Sequence, residues 1–258
     1  NGNVLWYKNQ GVSFRSKIKI YDNKIFLIDQ DNRIFCFNTE TGLKIWDMRS
    51  ISTFIKSQGY LGLAITNNGS LLTLNSTGDL LKINASNGQT NWSLNITGSL
   101  SATDNDFFQS SDIVIDDEDM FFGTKNMFAS YNIETGYLNW VKEINSTNTP
   151  VIDLNNVFVI TDNGFFINLE KNTGKILWST NILKILKKKK QKTKITGFVL
   201  ASDKIYATSL NGYLIVSSAK TGKVESSKKI GNSITAAPII NNNSLYILTE
   251  NSKIIGLK

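Results

Sequence analysis

Short apolar runs separated by polar turns follow one another along the whole chain. Lys24–Ile28 and Arg33–Asn38 are two such runs, and the polar residues 29–32 lie between them. Runs of four to six residues bounded by Asn, Asp, Gly or Ser are typical of β-strands joined as hairpins. The pattern therefore predicts an all-β protein, with a single helical turn near residues 181–187.

A glycine followed four residues later by tryptophan recurs through the sequence. The repeat glycines stand at positions 2, 42, 88, 136, 174 and 222, and the tryptophans are Trp6, Trp46, Trp92, Trp140 and Trp178; Ser226 takes the Trp position in the last copy. Spacings of 38 to 48 residues match one four-stranded antiparallel blade of a β-propeller. We predict about six blades in a single propeller domain over residues 1–258.

The repeated tryptophans have two possible roles, packing between blades or stacking on a ligand. A blade cannot bury its own faces, and a large aromatic ring at a fixed repeat position supplies the apolar area that docks one blade on the next. We therefore interpret Trp6, Trp46, Trp92, Trp140 and Trp178 as structural blade-docking residues.

The two ends of the chain look complementary. The sequence starts with the Gly-to-Trp strand alone and stops after a hairpin that lacks this strand. An N-terminal strand that completes the C-terminal blade would close six blades without an exposed sheet edge. The alternative is that these blades are part of a longer, eight-bladed ring.

The residues that usually carry catalysis are scarce. The chain contains no histidine, which removes the commonest general base and zinc ligand, and the one cysteine, Cys36, stands in an apolar run typical of a buried strand. The acidic run at residues 116–119 lacks the ligand spacing of a calcium-binding loop and is interpreted as a hairpin turn. We predict no catalytic residues, no metal and no cofactor.

The net charge of +7 comes largely from one segment, residues 184–194, which includes four consecutive lysines at 187–190. A basic face with interleaved aromatics, as expected of a nucleic-acid-binding protein, is missing. The segment is interpreted as a solvated loop, although the same residues would also suit lipid headgroups.

The motif x-Thr-Gly-x-x-x-Trp resembles the repeat of the pyrroloquinoline-quinone-like (PQQ-like) propeller superfamily. Within it, residues 176–183, 212–214 and 235–247 are similar to the last blades of the BamB family, outer-membrane barrel-assembly lipoproteins. The resemblance implies a non-catalytic scaffold, monomeric, at the periplasmic face of the outer membrane of a Gram-negative bacterium. It implies a BamA-like insertase as the partner, and membrane attachment only through a lipid anchor upstream of residue 1.

The same resemblance implies partner-binding loops on adjacent blades. Ile55 and Lys56 stand where the family has a Leu-x-Leu-Arg loop, and Asp104 and Asp106 match its Asp-x-Asp loop. The alternatives are an ordinary apolar and charged pair at a strand edge, and carboxylates that form a turn. Other branches of the superfamily leave a quinone-dependent oxidoreductase, or a ligand-binding or sensor propeller, as alternative functions.

Overall fold

Consecutive antiparallel sheets account for nearly all of the regular secondary structure in the described residues. The computed structural model describes residues 2–50, 59–97, 108–188 and 192–258. Within these ranges, six sheets each consist of strands that follow one another in the chain, five with four strands and the last with three. Six such sheets are the architecture of a six-bladed β-propeller, so the predicted fold class is confirmed.

The strands are numbered along the chain. Sheets 1 and 2 contain β1 (Lys19–Tyr21), β2 (Lys24–Ile28), β3 (Arg33–Asn38), β4 (Lys44–Arg49), β5 (Gly62–Ile65), β6 (Ser70–Leu74), β7 (Asp79–Asn84) and β8 (Thr90–Asn95). Sheets 3 and 4 contain β9 (Val114–Asp116), β10 (Asp119–Gly123), β11 (Phe128–Asn132), β12 (Leu138–Lys142), β13 (Val151–Asp153), β14 (Asn156–Ile160), β15 (Phe165–Glu170) and β16 (Ile176–Asn181). Sheets 5 and 6 contain β17 (Ile195–Ala201), β18 (Lys204–Ser209), β19 (Tyr213–Ser218), β20 (Val224–Lys229), β21 (Ile239–Asn241), β22 (Ser244–Leu248) and β23 (Ile254–Leu257).

The chain divides into two compact units. Unit 1 comprises residues 1–125 with 130–138, and unit 2 comprises residues 126–129 with 139–258. In sheet 6, β23 pairs with β22 along one edge, and residues 3–10 belong to no strand. A single domain over residues 1–258, with the first strand completing the last blade, stays a prediction.

The middle strands of sheets 1 to 4 are largely buried on both faces, which explains their continuous apolar sequences. In unit 1, Phe26, Ile28, Ile34 and Cys36 of sheet 1 belong to one buried cluster with residues of sheet 2 such as Leu63. The outer strands are different: β4, β8 and β12 bury little beyond their tryptophan position. A strand covered on one face alternates between apolar and polar residues, as β8 does from Asn91 to Asn95.

The Gly-to-Trp repeat has a direct structural cause. In each pair, the Trp ring lies against the glycine of the following repeat, so that a Cβ added to that glycine would come within 2.5 to 3.3 Å of the ring: Trp6 with Gly42, Trp46 with Gly88, Trp92 with Gly136, Trp140 with Gly174, and Trp178 with Gly222. The first four indoles also donate their N–H to the carbonyl oxygen three residues before that glycine, over 2.8 to 3.1 Å. This is the geometry that a docking role requires, and it explains why each position is glycine.

A β-bulge accompanies the tryptophan position on the outer strands. Opposite Trp46, Trp92 and Trp178, the register shifts by one residue after the partner on the third strand. The same shift follows Val216 opposite Ser226, where the tryptophan has been lost. The bulge therefore belongs to the strand and its turn and does not depend on the indole ring.

A single short 3-10 helix, Ile182–Ile185, is described, and it lies where the sequence predicts a helical turn. Asn181 caps it by accepting a hydrogen bond from the Leu183 amide over 3.0 Å. Ile182 and Leu183 are buried in the core of unit 2. None of the described helices is long and apolar enough to cross a membrane.

Candidate partner-binding site

The four predicted partner-binding residues lie outside the described part of the chain. Ile55 and Lys56 fall in residues 51–58, and Asp104 and Asp106 fall in residues 98–107. The residues that flank these two loops are described and all belong to unit 1. The described part of the candidate site consists of the roots of the loops, which decide where each loop leaves the fold.

The turn between β6 and β7 connects the roots of both loops. Its residues 75–79 form a tight turn in which the Asn75 side-chain oxygen accepts hydrogen bonds from the amides of Thr77 and Asp79, each over 2.9 Å. Asn and Asp side chains often fix turns in this way. Other polar groups of the turn form hydrogen bonds with residues that precede the first loop and with residues that precede the second loop.

On one side, the turn holds Ser50, the residue immediately before the first loop. The Asn75 side-chain amide donates to Ser50 Oγ over 3.0 Å, and Ser50 Oγ donates to the Asn32 backbone carbonyl oxygen over 3.2 Å. Asn32 in turn donates from its side chain to Ser76 Oγ over 2.8 Å. All four residues are buried, so these hydrogen bonds are costly to break and the root of the first loop is fixed.

On the other side, the turn holds the residues immediately before the second loop. The Asn95 side-chain amide donates to Asp79 Oδ1 over 2.6 Å, and Asn95 Oδ1 accepts from the amide of Thr97 over 3.0 Å. The Ile96 amide donates to the Gly78 carbonyl oxygen over 2.9 Å. Residues 51–58 and 98–107 therefore both start from one hydrogen-bonded turn.

Asp79 is the charged centre of this turn. Burial raises the pKa of its carboxyl group, but hydrogen bonds donated by Thr77, Asn75 and Asn95 favour the carboxylate, and the net result is a lowered pKa. The ionised form is therefore the one that holds the roots of the loops together. A group with a lowered folded-state pKa stabilises the fold above its unfolded-state pKa and loses this contribution as the pH falls through the folded value.

We expect Asp79→Ala to lower the free energy of unfolding by about 1–3 kcal/mol at neutral pH, because the hydrogen bonds donated by the buried Asn75, by the half-buried Thr77 and by Asn95 lose their acceptor. Asp79→Asn is the matched control, since it keeps an acceptor oxygen but cannot ionise. Urea denaturation at pH 7 and at acidic pH measures both effects. The stability difference between the parent protein and Asp79→Asn should shrink as the pH falls below about 4; a difference that stays constant with pH would show that the carboxylate has no special role.

The candidates for other chemistry do not assemble into a site. The Cys36 thiol is buried, and burial raises its pKa to about 11, so the reactive thiolate is disfavoured. Asp116 and Asp119 lie at paired positions of β9 and β10, on either side of a two-residue turn. Across residues 2–50, 59–97, 108–188 and 192–258, no group of three or more His, Cys, Asp or Glu side chains could hold a metal ion.

Sequence reasoning missed the polar residues beneath the loops. Asn32, Asn75, Asp79 and Asn95 are common turn residues, and the segment Asn-Ser-Thr-Gly-Asp at 75–79 does indicate a turn. No pattern along the chain shows that this turn bonds to residues 25 positions earlier and 16 positions later.

Comparison with known proteins identifies the family. The model of a family described as "Outer membrane protein assembly factor BamB" matches residues 1–180. The chain belongs to the BamB family. It is 22% identical over 267 aligned residues to the outer membrane protein assembly factor BamB of Shewanella oneidensis, a match that covers 98% of this chain and 63% of the Shewanella protein. The chain thus spans less than two thirds of the length of that relative.

Solved structures support the fold assignment. BamB from Moraxella catarrhalis is similar with a TM-score of 0.60 and 13% identity, over 98% of this chain and 88% of the Moraxella chain. Quinohemoprotein alcohol dehydrogenase from Comamonas testosteroni is similar with a TM-score of 0.65 and 13% identity, over 95% of this chain and 46% of that enzyme. At such identities the likeness concerns the fold alone, which an assembly factor and a dehydrogenase share.

Proposed function

We propose that this protein is a non-catalytic scaffold of the machinery that assembles β-barrel proteins in the outer membrane. Membership of the BamB family supports this role. The partner we propose is a BamA-like insertase, bound through its periplasmic domains. The location that follows is the periplasmic face of the outer membrane.

The observation that carries the proposed binding site is the shared root of the two loops. Ser50 and Asn95 both bond to the turn at residues 75–79, through Asn75 and Asp79 respectively. Two loops that start from one hydrogen-bonded network begin close together, and a fixed base reduces the conformational entropy that is lost when they bind. The two loops are therefore suited to form one continuous binding surface.

The sequences of the loops supply complementary chemistry. The first loop contains an aliphatic residue beside a cation, Ile55 and Lys56, and the second contains two carboxylates, Asp104 and Asp106. A small apolar contact flanked by charges of both signs favours one partner and one orientation, because mismatched charges are penalised. We propose that these four residues make the decisive contacts with the insertase.

The proposal of a non-catalytic role is supported by a comparison with the residues that bind the cofactor in quinone-dependent enzymes. Quinone-dependent dehydrogenases of this superfamily resemble one another in a vicinal cysteine pair and a calcium site, whereas this sequence has the single Cys36. The described residues offer no cluster of metal ligands. The single cysteine and the donor set of the described residues therefore do not fit that cofactor.

The binding proposal is tested by reversing the charges in both loops. We expect Lys56→Glu combined with Asp104→Lys to weaken binding to the purified periplasmic domains of the insertase by at least about tenfold, because each reversed charge then faces a like charge. The measurement is isothermal titration calorimetry with the parent protein and the variant. The net charge of the protein is unchanged, so a loss of affinity reports on position rather than on overall charge.

The matched control reverses two exposed charges of unit 1 that lie outside both loops. Lys8→Glu combined with Glu40→Lys also leaves the net charge unchanged and should bind as the parent protein does. If the loop variant and this control bind equally well, the assignment of the site is wrong. If the parent protein does not bind the insertase domains, the proposed partner is wrong.

A further inference from the structure

A group of lysines gathers at one end of sheet 5 in unit 2. The connection from β16 to β17 contains Lys184, Lys187, Lys188, Lys192 and Lys194, and β20 ends with Lys228 and Lys229. Strand pairing places them at the same end of the sheet. Lys229 at the end of β20 lies opposite Tyr213 at the start of β19, and Ile195 at the start of β17 lies opposite Ser209 at the end of β18. The end of β20 and the start of β17 are therefore at one end of sheet 5. We call these seven exposed residues the basic end of sheet 5.

The basic end is held on a buried base. Leu183 and Leu186 are packed in the core of unit 2, and the Ile182 amide donates to the Gly164 carbonyl oxygen over 2.9 Å. After the connection, the Leu210 amide donates to the Lys194 carbonyl oxygen over 2.8 Å. The lysines near both ends of the connection are therefore displayed from a fixed scaffold, which a merely solvated loop would not need.

No carboxylate belongs to this end of the sheet. Residues 182–188, 192–196, 209–213 and 228–231 contain no Asp or Glu, and within the described structure none of the seven ammonium groups forms an ion pair. In the adjoining sheets 4 and 6, Asp162 and Glu250 occupy the corresponding turns, and Asp162 accepts hydrogen bonds from Thr147. At the opposite end of sheet 5 two of the cations have carboxylate partners, because Lys204 pairs with Glu225 and Lys220 with Asp203.

Exposed apolar side chains lie among these lysines. Ile185 is 41% exposed between Lys184 and Lys187, and Leu210 is 44% exposed in the turn that bonds to Lys194. Phe165, at the same end of sheet 4 and opposite Asn181, is 40% exposed. Lysines combined with exposed aliphatic and aromatic side chains are typical of surfaces that lie on an anionic membrane, where headgroups meet the charges and acyl chains meet the apolar groups.

We propose that the basic end of sheet 5 binds the surface of a membrane that contains anionic phospholipids. Lysines that form no ion pair supply the attraction to phosphate, and Ile185, Leu210 and Phe165 supply a shallow apolar contact. One of these lysines, Lys229, also donates to the Asn211 carbonyl oxygen and lies over the Tyr213 ring. This would orient unit 2 on the bilayer independently of any lipid anchor. The inference does not depend on the insertase as partner.

The test is co-sedimentation of the purified chain with vesicles. We expect binding to vesicles of phosphatidylglycerol and phosphatidylcholine, little binding to phosphatidylcholine alone, and weakening as salt is raised. Lys184→Gln with Lys187→Gln and Lys188→Gln should weaken binding to the anionic vesicles by at least about tenfold, since each lysine near such a surface contributes severalfold. Ile185→Ser should weaken it by a smaller factor.

Matched controls separate local from overall charge. Lys175→Gln with Lys220→Gln and Lys223→Gln removes the same charge at the opposite end of sheets 4 and 5, and Leu177→Ser removes an equally exposed aliphatic from β16. Both should bind vesicles as the parent protein does. The proposal is overturned if the two triple variants bind equally, or if the parent protein shows no preference for anionic vesicles. It is also overturned if added RNA displaces the protein from the sedimenting vesicles more strongly than added phosphatidylglycerol vesicles do. The assay contains no insertase, so its failure leaves the proposed function untouched.

Discussion

Trp140→Ala is expected to lower the free energy of unfolding by about 3–5 kcal/mol, among the largest effects of any single substitution in the chain. Trp140 is 8% exposed, and its ring lies against Gly174 of the next repeat. The centroids of the Trp140 and Phe128 rings are 5.9 Å apart. Its indole N–H also donates to the Lys171 carbonyl oxygen over 2.8 Å. Removal of the ring would leave a cavity and a carbonyl group without its donor. Urea denaturation followed by circular dichroism measures the change.

Two neighbouring substitutions serve as controls for the Trp140 variant. Trp140→Phe keeps an aromatic ring and loses the hydrogen bond, so it should cost about 1–2 kcal/mol. Val141→Ala shortens the next side chain on the same strand, which is 44% exposed, and should cost less than about 1 kcal/mol. If Trp140→Ala is no more destabilising than Val141→Ala, the tryptophans do not dock the blades.

Gly212→Ala is expected to destabilise unit 2 by about 4 kcal/mol, because the substitution meets two separate obstacles. Gly212 has a φ of +81°, which L-residues with a side chain rarely adopt. A Cβ at this position would also lie 2.0 Å from the Gly231 carbonyl oxygen, a backbone atom that cannot turn away. The Gly212 carbonyl accepts hydrogen bonds from the amides of Ile230 and Gly231, which would be disturbed as well. Thermal unfolding followed by circular dichroism measures the loss.

Gly11→Ala is the control that separates the two obstacles. Gly11 has a similar φ of +71°, but an added Cβ would meet no atom within 4 Å. This variant should therefore show only the conformational cost, about 1–2 kcal/mol. Equal effects of Gly11→Ala and Gly212→Ala would mean that the close approach of residues 212 and 231 is unimportant.

Much of the fold could be predicted from the sequence because each repeat is determined by residues that lie close together in the chain. Asn38, Asn84 and Asn132 end the third strands of sheets 1, 2 and 3, and each accepts hydrogen bonds from the turn that follows. The glycine of that turn has a positive φ in every copy. Turn residues and apolar runs act within a few positions of each other, so a reading along the chain detects them.

Less of the candidate site could be predicted, because its residues act over long separations. Family resemblance indicates the loops with Ile55, Lys56, Asp104 and Asp106, and these remain predictions. The turn at residues 75–79 beneath them depends on hydrogen bonds to Ser50 and Asn95, which no local pattern specifies. The sequence of the lysine segment indicates a solvated loop for the same reason, because Leu183 and Leu186 become buried only once sheets 4 and 5 are formed.

The sequence by itself determined the all-β class, the number of repeats and the positions of their glycines and tryptophans, because spacing and turn chemistry are local properties. The tertiary structure alone decided which groups lie together: each tryptophan with the glycine of the next repeat, Asp79 with Asn95, and the lysines of residues 184–188 and 192–194 with those that end β20. These contacts depend on how consecutive sheets pack. Packing is set by buried area and by hydrogen bonds between residues that lie far apart in the chain.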